Sequence, residues 1–96
     1  MTVVGDYVAL SPIKGDVAVR NGGSFTLRTT MTGSLTVRRG GAAAVGGRVE
    51  GDIYVFPGAQ VVVVGVVLGD IHDHGGDVLV DPRAYIAGRV SRANAH

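Results

Sequence analysis

The stretch Gly51-Asp52-Ile53-Tyr54-Val55-Phe56-Pro57-Gly58-Ala59-Gln60-Val61-Val62-Val63-Val64-Gly65-Val66-Val67-Leu68-Gly69-Asp70-Ile71 opens and closes on the same tripeptide, 18 residues apart. The same step reaches back to Gly33-Ser34-Leu35 and Gly15-Asp16-Val17. A second glycine column runs through Gly22, Gly40, Gly58 and Gly76. With 16 glycines in 96 residues, two unbroken columns of four mark a tandem repeat rather than coincidence.

Each 18-residue unit carries a finer beat of six. Met1, Tyr7, Ile13, Val19, Phe25, Met31, Val37, Ala43, Val49, Val55, Val61 and Val67 are apolar; Asp73 breaks the series, and Leu79 and Tyr85 resume it. Pairs such as Val17/Val19, Leu35/Val37, Ile53/Val55 and Val61/Val63 put apolar residues two apart, which is one face of a short strand. Three such strands per unit, separated by glycine, predict an all-β fold: a three-sided parallel β-helix (β-solenoid) of about five turns of 18 residues. A solenoid fills its core by stacking neighbours, so a chain this short can still have one. Residues 1–96 are therefore expected to form a single domain, with 1–14 a partial first turn or cap, 15–90 the repeats and 91–96 a frayed tail. Helix is opposed by the glycine content and the abundance of valine.

The alternation assigns an interior set: Val17, Val19, Phe25, Leu27, Met31, Leu35, Val37, Ala43, Val45 and Val49, then Ile53, Val55, Val61, Val63 and Val67. Phe25 over Ala43 stacks a large residue on a small one, as a core of fixed cross-section requires. In the third turn the same rule leaves Tyr54, Phe56, Val62, Val64, Val66 and Leu68 pointing outward, an apolar set large enough to mark a self-association surface. After Gly69 the next G-x-V, Gly88-Arg89-Val90, comes 19 residues later, so one residue is added. It falls either in the corner at 74–77 or between Asp81 and Ala87; the first choice would turn Val78 and Val80 inward in place of Leu79. On the unshifted repeat Asp73 and Asp81 fall where Val55 and Val63 sit one turn earlier.

Several function classes find no support. Nine Lys+Arg against eight Asp+Glu leave no basic stripe for nucleic acid. The chain has no cysteine, so thiolate chemistry and disulfides are excluded, which is compatible with a reducing cytosol. Residues 1–5 resemble no secretory signal, and the apolar run at 61–68 is too short to span a membrane. No G-x-S-x-G, P-loop or calcium-binding nonapeptide occurs. The chemistry-bearing cluster is His72-Asp73-His74, whose imidazoles share a face of a strand and could meet one metal ion with Asp70 or Asp52 as a third ligand; plain surface corner residues are the alternative. The Asp16, Asp52 and Asp70 column, completed by Ser34, reads as structural, each side chain accepting hydrogen bonds from N–H groups of its own turn. No catalytic residue and no cofactor is expected.

The segments Val61-Val62-Val63-Val64-Gly65-Val66-Val67-Leu68-Gly69-Asp70-Ile71 and Val45-Gly46-Gly47-Arg48-Val49-Glu50-Gly51-Asp52-Ile53 resemble the bactofilin repeat V-x-V-x-G-x-V-x-G-D-I. The likeness extends from about Ile13 to Val90. It implies a right-handed β-helix that polymerises end to end without nucleotide, as a bacterial cytoskeletal scaffold in the cytoplasm. Its partners would be other copies of itself and proteins recruited to the polymer. Bactofilins usually have more turns, and the membrane-binding tail of some members has no counterpart at residues 1–5, which gives no basis for membrane association.

The alternatives are an enzyme-like oligomer on a left-handed β-helix (hexapeptide transferase or gamma-class carbonic anhydrase type) and a small protein-binding module presenting Tyr54 and Phe56. The left-handed pattern wants a small residue beside each apolar one, and Arg20, Arg38, Glu50 and Phe56 stand there instead.

Overall fold

The computed structural model describes residues 2–92, and among them only strands, turns and bends occur. Fifteen short strands, numbered in chain order, wind into a β-solenoid of about five turns with three parallel sheets as its sides. Side one stacks β1 (Thr2–Val3), β3 (Val17–Val19), β6 (Leu35–Val37), β9 (Ile53–Val55), β12 (Ile71–Asp73) and β15 (Val90–Arg92). Side two stacks β2 (Asp6–Ala9), β4 (Ser24–Leu27), β7 (Ala42–Val45), β10 (Gln60–Val63) and β13 (Asp77–Val80). Side three stacks β5 (Thr30–Met31), β8 (Arg48–Val49), β11 (Val66–Val67) and β14 (Tyr85–Ile86), with Ile13 bridged to Met31 beneath them.

Local chemistry explains the winding. A three-residue strand with β-branched ends turns two side chains inward and one outward, and the corner after it must reverse direction within a few residues. Gly58, with φ of 85°, supplies the left-handed step at the corner between sides one and two. Every member of the interior set expected from Val17 to Val67 is buried, and Phe25, Leu27, Met31, Leu35 and Ile53 are closed off completely. Val3, Ala9, Ala59 and Ile71 complete the buried core. Registers of Leu35 on Ile53, Ala43 on Val61 and Val49 on Val67 align these residues as columns.

Residues 1–14, expected as a partial turn, put a segment on all three sides: β1, β2 and the Ile13 bridge. The last turn departs from the simple repeat. Asp73 does lie on Val55, but Asp77 pairs with Gln60 and Tyr85 with Val66. The corner at 74–76 is thus one residue shorter than its predecessor, and the following corner at 81–84 is two longer. What looks like a single insertion is the sum of the two changes.

That register settles the open placement of Leu79 and overturns the expectations for Tyr85 and Asp81. The left-handed glycine of the fourth corner is Gly75, φ 114°, and not Gly76. Val78 and Val80 pair with Val61 and Val63 in the core columns, so Leu79 faces solvent and is 66% exposed. Tyr85, expected to resume the interior beat, pairs with outward Val66 and is 61% exposed, with Ile86 taking the inward place. Asp81 leaves the Val63 position to Val80; its carboxylate accepts the Arg83 N–H and pairs with the Arg83 guanidinium. Met1 of the six-residue series and most of the expected tail, residues 93–96, lie outside the described residues, while Ser91 and Arg92 continue side one in β15.

Asp73 keeps its place in the core column and is buried. A carboxylate there needs a partner. It accepts the N–H of Gly75 at 2.9 Å, tying the shortened corner to the strand that precedes it.

Candidate functional site

The six residues expected to form one self-association surface are dealt to three sides. Tyr54 stands on side one and Phe56 just past it, Val62 on side two, Val64 at the next corner, and Val66 on side three with Leu68 beyond. Tyr54 and Phe56 are half-buried in ring stacks along side one, Tyr54 with His72 at 4.8 Å and Phe56 with His74 at 5.3 Å between centroids. Val62, Val64 and Val66 do stay together, around the corner between sides two and three. The corrected register adds Leu79 beside Val62 and Tyr85 beside Val66, giving an apolar strip that spans two turns. Sequence reading left Leu79 open between two placements, and missed Tyr85 because it kept the six-residue beat through the shifted corners. The alternation Asp77-Val78-Leu79-Val80, read by itself, was the signal for Leu79.

Both ends of the described stack leave core columns unfinished. At the first, Tyr7 lies over Phe25, ring on ring at 5.9 Å, and is itself 42% exposed. At the last, Val80 and Val90 hold interior places on β13 and β15, yet are 37% and 44% exposed. β13, β14 and β15 are edge strands of their sheets.

Side one carries the chemically richest group. The corner carboxylates form a ladder between turns, not within them as expected. Asp16 Oδ1 accepts the Ser34 N–H, Ser34 Oγ the Asp52 N–H, Asp52 Oδ1 the Asp70 N–H, and Asp70 Oδ1 the Arg89 N–H. Each rung satisfies a backbone donor where the sheet ladder is interrupted at the corner. The other oxygen of Asp52 receives the Tyr54 hydroxyl at 3.4 Å and lies 3.5 Å from His72 Nε2. The Asp52 carboxyl is held below its ordinary range, chiefly by the Asp70 N–H, with burial opposing and His72 and Tyr54 adding to the effect. Tyr54 is pushed up by burial first and then by the neighbouring Asp52 charge.

Of the expected metal ligands, the structure brings together His72 and Asp70 with Asp52, one ligand atom from each lying within 4.8 Å of the others. His74 is not part of this group. Its ring follows the next outward position and stacks on Phe56.

The ladder yields a direct prediction. Asp52→Ala removes an acceptor for a part-buried N–H and is expected to cost about 1 kcal/mol. Asp52→Asn keeps an acceptor oxygen and is expected to cost less than half of that. A depressed carboxyl contributes stability above its unfolded pKa, about 3.9, that is lost as pH falls through the lower folded value. Urea melts at pH 7 and pH 3 test this: the gap between wild type and Asp52→Asn should narrow at pH 3. A gap that widens there would refute the ladder as a source of stability.

The corner between sides one and two is basic. Arg20, Asn21, Arg38, Arg39, Phe56 and Pro57 line an open groove of about 450 Å³, with the Arg38 guanidinium 5.3 Å from the Phe56 ring centroid. No helix among the described residues is long and apolar enough to cross a membrane. Comparison with protein-family models, curated proteins and solved structures finds no match to this chain.

Proposed function

We propose that this chain is a non-enzymatic structural scaffold that self-assembles in the cytoplasm, a short relative of the bactofilins whose repeat it resembles. The observation that carries the reading is the exposed last turn of the described stack. Val80 and Val90 occupy core columns yet stay partly exposed, and β13, β14 and β15 are the last strands of their sheets among the described residues. Such an edge templates pairing with another strand, and the apolar residues beside it reward burial. At the opposite end β1, β2 and the Ile13 segment offer the same three sides, with a four-residue strand, β2, to meet the four-residue β13. The strip formed by Val62, Val64, Leu79 and Tyr85 supplies a second, lateral contact.

Electron microscopy and light scattering over a concentration series test the proposal on tag-free protein without nucleotide. Filaments or a mass that grows with concentration are expected. Val90→Asp places a charge on the open core column and is expected to raise the concentration needed for assembly at least about tenfold. Val64→Asp should loosen lateral association while end-to-end growth persists. A monomer at every concentration would overturn the scaffold reading in favour of a small binding module. A closed trimer would favour the left-handed, enzyme-like alternative.

A further inference from the structure

We infer that Asp52, Asp70 and His72 form a binding site for a first-row divalent cation of the zinc type, bridging two turns on side one. The ligand atoms of the three residues lie within 4.8 Å of one another. Tetrahedral zinc with bonds of about 2.0–2.2 Å places its ligand atoms roughly 3.4 Å apart. The His72 Nε2 to Asp52 Oδ2 separation of 3.5 Å already matches that edge. The Asp70 oxygen lies within 4.8 Å of both atoms, so the third ligand needs a side-chain adjustment and no movement of the backbone.

The site is organised before any ion arrives. Each carboxylate accepts a backbone N–H through Oδ1 at 2.9 Å, Asp52 from Asp70 and Asp70 from Arg89, and a cation at Asp52 Oδ2 would displace the Tyr54 hydroxyl that sits there at 3.4 Å. The imidazole is held by stacking on Tyr54, with the rings 10° from parallel. The charged partner of Asp52 is His72, 3.5 Å from Oδ2, and both carboxylates otherwise accept only neutral donors, the Tyr54 hydroxyl and backbone N–H groups. Imidazole selects zinc, nickel or copper over calcium and magnesium. Three protein ligands on an accessible face leave a fourth position for water.

This inference is independent of the scaffold reading, because it concerns a side and not an end of the stack. The test is calorimetric titration of the chelator-treated full chain with zinc chloride, and separately with calcium chloride. One zinc per chain and no calcium binding at the same concentrations are expected. His72→Ala and Asp70→Asn should each weaken zinc binding by at least the roughly 10–100-fold typical of outer-shell losses. His74→Ala should change it less than about twofold, since His74 lies outside the cluster. Circular dichroism of each variant establishes that it is folded. Absence of zinc binding at millimolar concentration would overturn the site, as would affinity unchanged in folded His72→Ala, or an equal loss in His74→Ala. Light scattering on the same variants keeps the two proposals apart, because assembly should survive His72→Ala.

Discussion

Gly51→Ala is expected to destabilise the protein by about 3 kcal/mol, the upper end of what overpacking ordinarily costs. A methyl group at this position would meet the Gly33 carbonyl oxygen at 2.6 Å and its carbon at 2.7 Å. Those atoms belong to the backbone of the turn below, so they cannot swing aside as a side-chain tip could. The Gly33 chain is itself held in the adjoining corner, where Ser34 Oγ accepts the Asp52 N–H. To admit the methyl, two turns must separate at this corner, which pulls on the Leu35–Ile53 pairing of side one. For a domain of about 100 residues, 3 kcal/mol lowers the melting temperature by roughly 12–24 °C. Gly5→Ala is the control, because no atom lies within 4 Å of a methyl there, and a change under about 0.5 kcal/mol is expected. Thermal melts followed by circular dichroism decide it. Equal behaviour of the two variants would mean that the glycine column is not a packing requirement.

That column was legible in the sequence as an 18-residue spacing, and its cause needed the structure. Spacing states that a position repeats; only the close approach of Gly51 to Gly33 states why no side chain is admitted. The interior set from Val17 to Val67 was fully legible, because inside strands of three or four residues a period of two has one solution once glycine marks each corner. The last turn was not, because a corner one residue short is followed by one two residues long, and the net shift of one conceals both. Adjacent Gly75 and Gly76 hid which of them makes the left-handed step. Leu79 was therefore left between two placements and is exposed, Tyr85 looked interior and is exposed, and Asp81 looked like a core intrusion and is part of a corner.

The candidate site was legible as residues and not as an arrangement. Asp16, Ser34, Asp52 and Asp70 could be seen to share a column, but a sequence does not say whether a side chain bonds within its turn or along the stack. Stacking at the strand spacing of about 4.8 Å puts the next turn's N–H within reach of a short carboxylate, and that choice wins at all four rungs. His72 and His74 do lie on one side, as an i, i+2 pair must. They are nonetheless matched to different rings below, Tyr54 and Phe56, and this separates His74 from Asp52 and Asp70.

Phe25→Ala is expected to cost about 3–5 kcal/mol, and its partner residue makes the effect diagnostic. Phe25 is completely buried on β4, with Tyr7 stacked on one side and Ala43 aligned with it on the other. Removing the ring leaves alanine next to alanine in a column whose spacing is fixed by the sheet ladder. The turns cannot close the gap without breaking the hydrogen bonds of β2, β4 and β7. If filling a constant cross-section is what the column demands, volume can be returned one turn away. Ala43→Phe alone overpacks against Phe25 and should cost about 1–3 kcal/mol. In Phe25→Ala/Ala43→Phe the new ring can spread into the space the old one left, so the pair should be less destabilised than the sum of the singles by more than about 1 kcal/mol. Chemical denaturation of the four proteins measures this coupling. Additive losses would show that the column demands a particular ring at a particular level, and that Phe25 is required for its stack with Tyr7 at the end of the solenoid rather than for its volume.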